Sequence, residues 1–110
     1  MRPVYVSVTG EATSSVIPIN HYVTPFNVGF GIKVSGSVNY TVQHTFDDVF
    51  AAGFNPSTAT WFNHPTIAAQ SANADGNYAF PVVGIRIKGN TGSVGTITLC
   101  LVQAGSAAAK

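Results

Sequence analysis

The sequence predicts an all-β protein: an antiparallel β-sandwich, jelly-roll-like in type, with roughly six to eight strands and one long aromatic loop. Three observations carry that expectation. Apolar and polar residues alternate at period two in several separate runs, the signature of half-buried strands. Gly, Pro, Asn and Asp punctuate these runs at short intervals, as turns do. No segment shows a helical period of useful length. Many short strands divided by such turns imply a sandwich or a barrel.

The runs come in order. Val4, Val6 and Val8 alternate with Tyr5, Ser7 and Thr9. A weaker strand passes through Val16, Ile17 and Ile19, and Pro18, which has no N–H to donate, assigns it to an edge. The clearest run sets Phe26, Val28, Phe30, Ile32 and Val34 against Asn27, Gly29, Gly31, Lys33 and Ser35. Gly29 and Gly31 leave one face of that strand bare, which permits close approach by another backbone or marks a bulge or bend. Val38, Tyr40, Val42, His44 and Phe46 form the next apolar set, and the short link Ser35-Gly36-Ser37 predicts a β-hairpin with the run before it. Tyr78, Phe80 and Val82 suggest a strand opened by an Asp75-Gly76 turn, with Pro81 placing it at an edge or bulge. Val83, Ile85 and Ile87 are joined to Ile97, Leu99 and Leu101 by Gly89-Asn90-Thr91-Gly92-Ser93, which predicts a second hairpin.

Residues 47–77 break the pattern. Asp47 to Ala52 is the best candidate for a single helical turn, started by the two carboxylates and ended by Gly53. Loops this long are uncommon in compact domains and are usually functional or mis-assigned. Phe50, Phe54, Trp61 and Phe62 make this one too aromatic to be disordered. It is expected to fold over one end of the sandwich or against a neighbouring subunit. The chain reads as one domain, residues 1–110, with a flexible tail at 104–110.

Charged residues make up 8% of the chain, where soluble domains carry about 25%. A net charge of +1 gives little colloidal protection and favours association. The chain therefore reads as an assembly subunit or homo-oligomer; the plainer reading is a monomer kept soluble by hydroxyl and amide side chains. A nucleic-acid partner is not expected, because such proteins cluster Lys and Arg, and only Arg86 and Lys88 lie close together. No apolar stretch approaches the roughly 18 residues of a membrane span. Met1-Arg2-Pro3-Val4-Tyr5 lacks the apolar region of a signal peptide, so folding in the cytoplasm is expected. The single cysteine, Cys100, excludes an intrachain disulfide and reads as a small buried hydrophobe.

Few residues offer chemistry. Asp47 and Asp48 are adjacent and point to opposite faces of an extended segment. A glycosidase holds two carboxylates about 5 to 10 Å apart across the sugar; Asp75 is the only nearby acid that could complete such a pair. His21, His44 and His64 lack the spacing of a local metal site, and a set such as His21, His44 and Asp48 would have to be assembled from distant positions. His44, between Val42 and Phe46, reads as a core histidine with a satisfied hydrogen bond. Cys100 has no sequence neighbour to lower its pKa. No Gly-x-Ser-x-Gly elbow is present, and Gly29-Phe30-Gly31 lacks the helix and third glycine of a dinucleotide loop. The expectation is a non-enzyme with no catalytic residues, no metal and no cofactor. The cluster Trp61-Phe62-Asn63-His64-Pro65 can stack on a sugar, anchor an interface or cap the core. With Phe50 and Phe54 it gives the expected oligomer or partner interface: Phe50, Phe54, Trp61, Phe62 and His64.

Four stretches together resemble small structural proteins of tailed bacteriophages. They are His21-Tyr22-Val23-Thr24-Pro25-Phe26-Asn27-Val28-Gly29-Phe30-Gly31, Tyr40-Thr41-Val42-Gln43-His44-Thr45-Phe46-Asp47-Asp48-Val49, Thr60-Trp61-Phe62-Asn63-His64-Pro65 and Asn77-Tyr78-Ala79-Phe80-Pro81-Val82. These are framework stretches, not a catalytic signature. The resemblance runs over most of the chain and implies a virion protein, of which a capsid decoration or cement protein is the leading form. Its partners would be itself, as a trimer or dimer, and a major capsid or other virion protein. A head–tail joint or a tail component is the other position implied. Two rival readings come from the residues: a carbohydrate-binding module for host-surface glycans, with Trp61 as an exposed platform, and a small hydrolase, with Asp48, Asp75 and a histidine gathered in a cleft.

Overall fold

The computed structural model describes residues 3–19 and 27–104. Period-two alternation becomes eight strands: β1 (Val4–Thr9), β2 (Ile17–Pro18), β3 (Asn27–Ser35), β4 (Tyr40–Thr45), β5 (Phe62–Asn63), β6 (Ala74–Tyr78), β7 (Gly84–Gly89) and β8 (Thr96–Ala104). They make two antiparallel four-stranded sheets. Sheet A has the order β1-β8-β3-β6 and sheet B the order β2-β7-β4-β5. No helix occurs among the described residues, so none there is long and apolar enough to cross a membrane.

The pairing has a simple logic. β1 pairs with β8, β2 with β7, β3 with β6 and β4 with β5. The chain is thus one long antiparallel ribbon folded back on itself. Wrapping that ribbon joins β3 to β8 and β4 to β7. A ribbon wrapped in this way is the jelly roll. The inward residues of both sheets, among them Val28, Val42, Ile85, Ile87, Leu99 and Leu101, are fully buried and form one core.

Both predicted hairpins are corrected by this topology. β3 and β4 lie in different sheets, and so do β7 and β8. Their short links cross from one sheet to the other. Gly36, at φ +88°, turns the first link in a conformation that suits glycine. The Asp75-Gly76 pair is not a turn but lies inside β6. Gly76 faces inward, and a Cβ there would sit 3.0 Å from the Phe30 ring, so the glycine makes room for that ring. The strand ends at Tyr78, so Phe80, Pro81 and Val82 lie beyond it. Asp47 to Ala52 forms turns, not a helix: Asp48 Oδ1 accepts the Phe50 N–H at 3.0 Å and Asp48 O accepts the Ala51 N–H at 3.1 Å. β2 is the edge strand that Pro18 required. Ala104, assigned to the tail from sequence, is the last residue of β8, and the rest of that tail lies outside the described residues.

The two outer faces differ. Every residue of β4 is buried, including the outward Thr41, Gln43 and Thr45. The segment between β4 and β6 covers them. Thr45 Oγ1 donates to Thr60 O at 2.8 Å, Thr41 Oγ1 accepts from Ala69 N at 3.0 Å, and Gln43 Nε2 donates to Asn63 Oδ1 at 3.0 Å. Among the described residues nothing roofs the outer face of sheet A in this way. Tyr5, Ser7, Lys33, Ser35, Asp75 and Asn77 on it are exposed.

Candidate functional site

At one end of the sandwich three phenylalanines run past the sheets. Phe46 follows β4, Phe62 opens β5 and Phe80 follows β6, and they are 52%, 48% and 42% exposed. All three converge on His44. Its ring lies 5.4 Å from Phe46 and 5.6 Å from Phe80, both edge-on, and stacks at 5.9 Å on Phe62. Phe46 also contacts Phe62 at 5.8 Å and Phe80 at 6.4 Å. The result is an open crown of three rings around a buried imidazole.

The crown stands on a column of rings. Tyr78, fully buried, packs edge-on against His44 at 4.8 Å and His64 at 4.9 Å, and Phe30 meets His64 at 5.2 Å. The Tyr78 hydroxyl and His44 Nδ1 are 2.8 Å apart. Burial holds the Tyr78 phenol far above its ordinary pKa, so it stays a donor. Burial, and secondly the nearby His64, lowers the pKa of His44 and favours its neutral ring. A phenol O–H donating to an unprotonated Nδ1 satisfies both groups. The pair is a rigid base for the crown.

The residues expected at the interface are scattered. Phe62 is in the crown. Phe50 is 71% exposed on the turn after β4, and Phe54 is half-buried on the next turn. Trp61 lies under Arg86, whose guanidinium carbon is 3.9 Å from the ring centroid. The indole N–H donates to Pro56 O at 2.9 Å. Arg86 is held in place by donating from Nε to Gln43 Oε1 at 2.8 Å. Trp61 therefore pins the loop to sheet B and gives one ring face to Arg86, which takes that face from any sugar. His64 is buried. Its Nδ1 accepts the N–H groups of Thr66 and Ile67, both at 3.1 Å, and its Nε2 donates to Asn77 O at 2.9 Å. These partners fix its tautomer and tie the loop to β6.

The acids are not gathered. Asp47 Oδ2 accepts the Thr60 N–H at 2.8 Å, Asp48 closes the turn before Phe50, and Asp75 lies on the outer face of sheet A. Among the described residues no group of three or more His, Cys, Asp or Glu is placed to hold a metal ion. His21 lies outside the described residues. An open polar hollow of about 470 Å³ is lined by Glu11, Asn39, Lys88 and Asn90 among others. Its polar groups serve the fold: Asn90 Nδ2 donates to Asn39 Oδ1 at 2.7 Å and Thr41 Oγ1 at 2.9 Å, and Glu11 accepts the Gly92 N–H at 3.0 Å.

Sequence reasoning missed Phe46 and Phe80 as surface residues. Both keep the inward phase of their strands, and phase alone does not say where the opposite sheet stops. Their signal was position: each lies two residues beyond a buried aromatic or imidazole, at a strand end. Comparison with known protein families, curated proteins and solved structures finds no match.

Proposed function

We propose that this chain is a non-enzymatic structural subunit of a tailed-bacteriophage particle, of the capsid decoration or cement type. The observation that carries the reading is the crown. Three half-exposed phenylalanines fixed on a hydrogen-bonded His44–Tyr78 base form an apolar contact point with little conformational freedom left to lose. Fully burying such a ring contributes about 2–3 kcal/mol, so closing the exposed half of each contributes roughly 1 kcal/mol. The fitting occupant is an apolar segment of a shell protein at a subunit junction. Low charge supports the same reading, because a surface with so few charges suits permanent contact. Repetition around a symmetric shell multiplies a modest contact by avidity.

The test is mass spectrometry on gradient-purified particles of the phage that encodes the chain. The chain should be present at a fixed copy number relative to the major shell protein. A Phe46→Ser, Phe80→Ser double variant should stay folded and fail to rejoin particles depleted of the wild type. Particles that lack the chain, or that take up the double variant as well as the wild type, would overturn the reading.

A further inference from the structure

Glycines report where something needs room. Gly10, Gly36, Gly53 and Gly92 have positive φ. Gly76, Gly84, Gly89 and Gly95 sit where a Cβ would press on the chain's own atoms, as at Gly84, where Val16 would be 2.8 Å away. Among the described residues that leaves Gly29 and Gly31. Neither has positive φ. A Cβ on Gly31 would meet nothing within 4 Å, and one on Gly29 only Val102 O at 3.9 Å. Both lie in β3, an interior strand of sheet A, on its outer face. Glycine weakens a strand interior, and where it has no internal reason it marks close approach from outside.

The register says what can approach. Tyr5 pairs with Cys100, and Cys100 pairs with Gly31. The three residues form one row across β1, β8 and β3, with neighbours about 4.8 Å apart. Tyr5 is 68% exposed. A large ring thus stands on one side of Cys100 and an empty position on the other, at equal spacing. We infer that a second copy of this chain packs on the outer face of sheet A about a two-fold axis running along β8 over Cys100, seating Tyr5 of each copy over Gly31 of the other. A two-fold parallel to the strands keeps each residue in its row and exchanges β1 with β3. Ring and gap are therefore self-complementary, as an isologous interface requires.

The area suffices. β3 and β8 have nine residues each and β1 six, and together they cover about 400 Å² in projection per copy. With side-chain relief the pair would bury on the order of 1,000 Å², the lower bound for a specific interface. Lys33 is the one charged side chain among the described outward residues of these three strands.

The inference rests on the chain's self-association and not on its place in a particle, so the two can fail separately. The experiment is light scattering coupled to size exclusion on the full chain, run alongside the alkylation rate of Cys100, which is the only cysteine. The wild type should run at twice the 11.4 kDa chain mass, and its alkylation should slow by about ten-fold as concentration rises through the dissociation constant. Gly31→Val should halve the mass and remove that concentration dependence without lowering the melting temperature measured below the wild-type dissociation constant. Tyr5→Ser, at an exposed position, should do the same and serves if the glycine variant misfolds. A wild type that is monomeric or trimeric, or variants that keep the dimer and the protected thiol, would overturn the inference. A monomer that still joins particles would do so while leaving the proposed function standing.

Discussion

The two outer faces of this sandwich have opposite fates. Sheet B spends a long segment of its own chain on a roof: Thr60, Trp61, Asn63 and Ala69 bond to or pack over Thr45, Arg86, Gln43 and Thr41. Sheet A has Tyr5, Lys33, Ser, Thr, Cys and two bare glycines on its outer face, and among the described residues no segment between its strands returns to cover it. The contrast separates a face the chain closes itself from the face on which the proposed second copy would pack. Outward Thr41, Gln43 and Thr45 are buried on sheet B and satisfied within the chain. On sheet A the exposed Ser7 bonds to the half-buried Thr98 at 2.9 Å.

Substitutions can break that contrast. The largest effect is expected at the anchor of the roof. His64→Ala removes a buried ring and orphans the N–H groups of Thr66 and Ile67 and the carbonyl of Asn77. Urea unfolding should show a loss of about 3 kcal/mol. Trp61→Ala strips Arg86 of its ring and should cost about 1–2 kcal/mol. Its measurable companion is faster hydrogen exchange at the amides of residues 55–61. The opposite sign is expected on the bare face. Gly31→Val should stabilise the separated protomer by about 0.5–1 kcal/mol, because a β-branched residue suits an interior strand and the space is open.

The smallest effect is a pH dependence set by the crown, at the end between the two faces. His44 has a lowered pKa in the folded state, so the unfolded chain takes up a proton first as pH falls. The stability from neutral His44 is complete above the ordinary histidine value of 6.5 and declines from there toward the lowered folded value. Melting temperature should drop across that window, and His44→Gln should flatten the drop. A melting temperature that rises on acidification there would contradict the assignment.

Much of the fold was legible because period two is a local property. Val4-Tyr5-Val6, Ile32-Lys33-Val34 and Ile97-Thr98-Leu99 each declare an inner and an outer face without reference to a partner. Partners were not legible. Ser35-Gly36-Ser37 is as short as a hairpin turn, yet it crosses between sheets, and nothing in the alternation says which neighbour an apolar face meets. β5 is two residues long and has no period to read. Asp75-Gly76 carries a turn signature that the Phe30 ring overrides. At the site, Phe62 was visible as an aromatic in an irregular loop. Phe46 and Phe80 were hidden in good alternation, because exposure there depends on where the facing sheet ends. The bare glycines were legible from the start, and the structure adds that nothing among the described residues requires them.

In the proposed dimer the outer face of sheet A meets a second copy, whereas that of sheet B is closed by the chain itself. Amide NMR spectra recorded over a concentration series, from tens of micromolar to about a millimolar, test it most directly. Shifts confined to sheet A outward positions such as Tyr5, Ser7, Gly29, Gly31 and Cys100 are expected, with Thr41, Gln43 and Thr45 unmoved. Spectra that do not change with concentration, or shifts that map to the roof of sheet B, would contradict it.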